Sequence, residues 1–201
     1  MSAADPYFDA EYGLLRNRLG IVDPVELEQV EAELTALRLV ELQDDPLPGG
    51  YDLAHLQAFH RFVFGDVYDW AGELRSVVIG KGDVFCLPQF IASFASDVFG
   101  RLAGKDFLRG LERPRFLDEL ANLFADVNAL HPFREGNGRA HRAFLTQLAV
   151  DAGWRLRWAS MDPEENVRAS QQAHRGDILP LRAMLDGRVD PGEQIPAPRS
   201  H

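Results

Sequence analysis

The chain has 201 residues, 46% apolar and 26% charged, a balance that belongs to a globular domain and excludes a disordered or fibrous chain. Its 21 basic against 31 acidic residues give a net charge of −10, too acidic for the basic face that binding to duplex nucleic acid needs. The single cysteine, Cys86, excludes a disulfide framework and a cysteine-built zinc site, and no apolar run reaches the roughly 20 residues of a membrane span.

The first residues carry neither a basic lead nor an apolar core, so no secretory signal is expected and the reading is bacterial cytoplasmic. Asp23-Pro24-Val25-Glu26 reads as a helix start, with aspartate as cap, proline in the first position and Glu26 reaching back. The helix runs to about Val40 and puts Leu27, Val30, Leu34 and Leu37 on one face. Residues 44–50, rich in Pro, Gly and Asp, are a loop, and Leu53, Leu56, Phe59, Phe62 and Val63 mark a second amphipathic helix. Between Leu74 and Phe85 the pattern becomes that of a β-hairpin turning at Gly80-Lys81-Gly82-Asp83. Two strands are only marginally stable alone, so this ribbon must lean on helices.

Helical spacing resumes at Phe90, Phe94 and Val98. It is widest over Phe116, Leu117, Leu120, Leu123, Phe124, Val127 and Leu130, which predicts a central buried helix. After a break at 131–138, Phe144, Leu145 and Leu148 continue in a further helix. Asp162-Pro163-Glu164-Glu165 opens another, with a second start near Asp177. The expected fold class is mostly α, a helical bundle with one small β-hairpin. Residues 1–50 form a helical extension packed on a core at 51–187, and 188–201 a disordered tail.

The segment from His131 to Arg142 holds the chemistry. Gly136-Asn137-Gly138 stands just before a helix, where asparagine is a good cap and glycines expose backbone N–H groups. The open start of a helix offers unpaired donors and a partial positive charge, which together favour a phosphate. Arg139 and Arg142, three apart on the first turn, project from one side, a design for more than one phosphate group. Glu135 would be repelled by those phosphates unless a cation stood between them, and one carboxylate plus phosphate oxygens is a usual holder of Mg²⁺. His131, on the other shoulder of the loop, suits a general base at neutral pH.

These residues resemble the Fic domain, whose motif is His-x-Phe-x-(Asp/Glu)-Gly-Asn-Gly-Arg-x-x-Arg. All eight specified positions are filled, by His131, Phe133, Glu135, Gly136, Asn137, Gly138, Arg139 and Arg142. Further likeness lies at Leu15-Arg16-Asn17-Arg18-Leu19-Gly20-Ile21, at Trp70-Ala71-Gly72-Glu73-Leu74-Arg75 and at Gly176-Asp177-Ile178-Leu179-Pro180-Leu181. The resemblance implies transfer of AMP from ATP to a Tyr, Ser or Thr hydroxyl of a target protein. It implies His131 as base, Glu135 as holder of Mg²⁺, and Gly136, Asn137 and Gly138 as the anion hole. Arg139 and Arg142 would bind the β- and γ-phosphates, and Phe133 would anchor the loop in the core. The hairpin, with Lys81, Gly82, Asp83, Val84 and Phe85, would be a flap that registers the target segment by strand addition. Relatives in the family that transfer UMP, phosphocholine or phosphate, and a catalytically silent binding module, are the alternatives.

Other signals point elsewhere. Gly136–His141 lacks the third glycine of a dinucleotide fingerprint, and Gly80-Lys81-Gly82 lacks the spacing of a P-loop. His55, His60, His141, His174 and His201 have no metal-like spacing, and Cys86 reads as a small apolar residue. Many Fic proteins are silenced by a helix bearing (Ser/Thr)-x-x-x-Glu-(Gly/Asn), whose glutamate meets the second motif arginine. Only Ser160 has a glutamate four residues on, Glu164, and 162–165 read better as a helix cap. A toxin held by a separate small helical antitoxin, supplying a glutamate to Arg142, is therefore expected. Neither a membrane nor a nucleic acid is an expected partner; delivery into a host cell is the variant of the cytoplasmic reading.

Overall fold

The computed structural model describes residues 5–81 and 83–192. Its helices are α1 (Pro24–Asp44), α2 (Leu53–Phe64), α3 (Ile91–Ala103), α4 (Arg113–Leu130), α5 (Asn137–Asp151), α6 (Pro163–His174) and α7 (Leu179–Asp186). Three of them, α1, α2 and α6, start where a short polar side chain replaces a missing helical bond: Asp23, Asp52 and Asp162 accept from the N–H of Glu26, His55 and Glu164.

α4 is the buried centre the apolar spacing predicts. Phe116, Leu120, Val127 and Leu130 are fully buried on it, against α3 on one side and α5, α6 and α7 on the other. Burying one such side chain contributes about 1.5–3 kcal/mol, so this stripe fixes where α4 ends and hence where residue 131 lies. α2 packs across α5 and α1. A second apolar cluster, Tyr7, Leu14, Leu27, Val63, Phe64 and Tyr68 among its members, joins the N-terminal segment to α2.

Three antiparallel two-stranded pairs occur among the described residues, where the sequence predicts one. The expected hairpin is β3 (Gly80–Lys81) with β4 (Asp83–Val84), registered Gly80↔Val84. Gly82 and the side chains of Lys81 and Asp83 lie outside what is described. β1 (Phe8–Asp9) with β2 (Leu14–Leu15), and β5 (Trp154–Leu156) with β6 (Val189–Pro191), are the other pairs. Strands of two or three residues are too short for period-two alternation to show.

Two expectations need correction. Disorder from Arg188 does not hold for 188–192: Val189 is 2% exposed, β6 pairs with β5, and Arg113 donates to the carbonyls of Asp186 and Val189. Residues 193–201 lie outside the described residues. The inward face of α1 also differs, for Leu37 is 62% exposed while Glu31 and Thr35 are buried beside Leu27. Polar groups lie inside there because a cation on α5 reaches them.

Candidate active site

α4 ends at His131, whose backbone is left-handed at φ 41°, and this turns the chain sharply toward the start of α5. The following loop is pinned from several sides. Asn137 is not the cap of α5, as its position in the sequence suggests. Gly136 takes that place, and the Asn137 side chain folds back, Oδ1 accepting from Phe133 N–H at 2.9 Å and Nδ2 donating to Phe133 O at 2.8 Å. Phe133 is fully buried, as the resemblance implies, and stacks on His60 with ring centroids 3.9 Å apart.

In the sequence His60 is only a histidine without metal-like spacing; in the fold it is a clamp. Its Nδ1 accepts the Gly72 N–H at 2.8 Å, so the proton sits on Nε2 and is donated to Glu135 O at 2.9 Å. Burial pushes its pKa down to about 4, which keeps the ring neutral in that role. Arg75 holds the other end of the loop, donating from its backbone N–H to Pro132 O at 2.9 Å and from Nε to His131 O at 2.8 Å. Gly136 has no substitute, because its φ is 77° and a Cβ would stand 2.3 Å from the Phe64 ring.

Above this loop opens a cavity of about 670 Å³, within the usual size of a small-ligand site. One wall is the loop and first turn of α5, with Glu135, Gly138, Arg139 and Arg142. The opposite side carries Phe85 of the flap and Asn166, Ser170 and Gln171 of α6. The α6 wall was not legible in the sequence. Asn166 Oδ1 is buried with no hydrogen-bond partner among the described residues.

His131 faces the cavity with a defined proton. Its Nδ1 lies 3.2 Å from Asn128 O, and a carbonyl can only accept, so Nδ1 carries the hydrogen and Nε2 is the basic nitrogen. Phe85 stacks flat on the imidazole, centroids 3.7 Å apart and planes within 2°. His141 stands edge-on at 5.9 Å, and burial drives its pKa well below the ordinary value.

The two arginines do not act as the matched pair that their spacing suggests. Arg142 is half-buried and meets no carboxylate among the described residues. Burial, and then the charge of Arg139, lower its pKa, so an incoming anion would relieve a desolvated cation. Arg139 instead pairs with Glu31, donates to Thr35 Oγ1 at 3.0 Å and lies over the Phe64 ring at 4.6 Å. Tyr68 donates to the same Glu31 carboxylate. The net positive charge at the start of α5 is thus nearer one guanidinium than two.

Among the described residues, no three His, Cys, Asp or Glu side chains gather in a metal cage. The Glu135 carboxylate is 48% exposed at the cavity and 4.0 Å from Arg139 Nη2. One open carboxylate beside an open helix start, where anions are favoured, fits a hard cation that completes its shell with ligand oxygens and water. Glu164 does not line the cavity; it pairs with Arg168 on its own helix at 3.3 Å.

The Fic/DOC family model matches residues 50–149. The probable protein adenylyltransferase Fic of Escherichia coli K12 is 39% identical over 182 residues, covering 90% of this chain and 90% of that protein. Protein adenylyltransferase VbhT of Bartonella schoenbuchensis is 41% identical over 90% of this chain; the chain spans 38% of that relative's length. The N-terminal Fic domain of a Bartonella quintana VirB-translocated effector, solved with bound ADP, superposes with a TM-score of 0.86 at 27% identity. That match covers 93% of this chain and 95% of that one. No helix among the described residues is long and apolar enough to cross a membrane. Motif, fold and relatives agree, and the chain belongs to the Fic/DOC family.

Proposed function

We propose that this chain is a protein adenylyltransferase, moving AMP from ATP to a Tyr, Ser or Thr hydroxyl of a target protein. The observation that carries this is His131, its proton held on Nδ1 and its basic Nε2 beside a cavity that ends on the open start of α5. The hydroxyl oxygen attacks the α-phosphorus, the bond from that phosphorus to the bridging oxygen breaks, and pyrophosphate leaves. The hydroxyl proton passes to His131 Nε2. The N–H groups of Asn137 and Gly138, without partners in a helix's first turn, face the phosphate oxygens, and Arg142 supplies the full charge. Glu135 would hold Mg²⁺, which neutralises phosphate charge and eases departure of pyrophosphate. The protein's share is positioning and charge stabilisation.

The flap supports registration of an extended target segment, since Val78 and Val84 are 59% and 56% exposed beside the cavity. The absence of a carboxylate partner for Arg142 among the described residues supports a separate helical antitoxin that brings one; the toxin itself we propose as cytoplasmic. Residues 51–187 act as the catalytic core, with 1–50 as its extension. The test is mass spectrometry of a bacterial lysate incubated with the protein, ATP and Mg²⁺. One added AMP on a hydroxyl residue of a specific protein, absent with His131→Ala, supports the reading; no added AMP overturns it.

A further inference from the structure

Arg75 is 2% exposed, and no carboxylate pairs with it among the described residues. A buried guanidinium is costly unless its donors are satisfied, and here backbone carbonyls satisfy them. Nε donates to His131 O at 2.8 Å, one terminal nitrogen to Val77 O at 2.7 Å, and the other to Cys86 O. Val77 precedes β3 and Cys86 follows β4, so the fork of Arg75 grips both stems of the flap and the backbone of the catalytic histidine together. Its own N–H adds Pro132 O at 2.9 Å.

The grip has a geometric consequence at the reacting nitrogen. His131 is held in a left-handed conformation that a non-glycine residue seldom adopts, and its carbonyl accepts from Arg75 Nε. Phe85, the neighbour of Cys86, lies flat on the His131 ring. Phe85 N–H donates to Ile79 O at 3.2 Å, and Cys86 N–H to Ala129 O at 2.9 Å, so the returning strand is tied both to the other flap stem and to α4. A side chain serving only the core would not need to reach both flap stems and His131. Lysine has one nitrogen and no fork, and cannot span three carbonyls.

We infer that Arg75 is a positioning residue for transfer, locking the flap stems and the Phe85 stack to His131 so that a registered hydroxyl meets Nε2. This rests on the transferase reading above. The enzyme places the hydroxyl through the flap and the nucleotide through α5, so loss of Arg75 separates the two functions.

The experiment compares wild type, Arg75→Lys, Phe85→Leu and the double variant. Mg-ATP affinity should stay within about twofold in Arg75→Lys, because α5 and its glycines are untouched, whereas kcat falls about tenfold to a hundredfold and KM for the target rises. In the Phe85→Leu background the same change should cost less than about threefold, since both substitutions break one device. Amide exchange in the native state should quicken over residues 77–86 and not over α5. Additive losses, or ATP affinity falling in step with kcat and with the fraction of folded enzyme, would make Arg75 merely structural and overturn the inference. Where Arg75→Lys does not fold, Arg75→Gln carries the same comparison, because it removes the buried charge and keeps a donor. Wild-type protein that transfers nothing defeats the transferase reading alone. The exchange data then decide this inference, and unchanged exchange at 77–86 overturns it.

Discussion

Asn137→Ala removes two hydrogen bonds at once and puts nothing in their place. The side chain is 3% exposed and serves both backbone groups of Phe133, at 2.9 and 2.8 Å, beneath a fully buried ring. An unsatisfied buried donor or acceptor costs about 1–3 kcal/mol, so two cost about 2–6, and partial access of water from the cavity points to about 3. With a urea dependence near 3 kcal/mol per molar for a chain of this size, the unfolding midpoint should fall by about 1 M. Asn137→Asp should fall further at neutral pH, because a carboxylate then faces the Phe133 carbonyl that the amide had served. The acid form of the introduced side chain can donate there, so its folded pKa lies above its unfolded one. Stability of Asn137→Asp is therefore recovered as pH falls and lost as pH rises through the folded value. Urea titrations of both variants at several pH values read this directly. An Asn137→Ala midpoint within experimental error of wild type, or an aspartate variant insensitive to pH, would refute the clamp.

Gly136→Ala should cost about 1–2 kcal/mol from its left-handed backbone alone. It should also displace Phe64 and weaken Mg-ATP binding, which calorimetry would show. His60 makes stability acid-sensitive: its folded pKa of about 4 lies below the ordinary 6.5, so the unfolded chain takes the proton first as pH drops. Stability should thus fall by about 3 kcal/mol between pH 6.5 and 4, and His60→Gln should flatten that stretch of the thermal-melt profile. Glu31→Gln should destabilise by about 1–3 kcal/mol while tightening Mg-ATP binding, because the Arg139 charge is no longer answered. Equal nucleotide affinity in Glu31→Gln and wild type would show that Glu31 does not restrain Arg139.

The sequence carried the helices wherever apolar spacing was dense. Phe116 to Leu130 marked α4 because burial on every turn leaves a stripe, and the start of α1 was plain because Asp23 and Pro24 are cap chemistry. The motif loop was legible as a set of residue types but not as a geometry. Nothing in the spacing told that Asn137 would turn back to Phe133, or that Gly136 would take the cap. Arg139 and Arg142 share a face in sequence; a buried carboxylate 108 residues away in the chain draws one of them aside. Glu31 and Thr35 stand four apart, a polar pair whose burial is a tertiary fact that helical periodicity cannot hold. His60 and Arg75 were missed for the same reason, as their hydrogen-bond partners are backbone N–H and carbonyl groups, which nearly every residue has. The α6 wall of the cavity came from packing and carried no motif.

The transferase reading stands on two points: the phosphorus attacked is the α-phosphorus, and His131 takes the proton. ATP labelled at the α-phosphorus and ATP labelled at the γ-phosphorus, each given with Mg²⁺ and lysate to wild type and to His131→Ala, test both in one experiment. Protein-bound label should come from the α-labelled nucleotide only, with stoichiometric release of pyrophosphate, and both should be lost with His131→Ala although that variant still binds Mg-ATP. Label arriving from the γ-position, or undiminished transfer by His131→Ala, would contradict the mechanism.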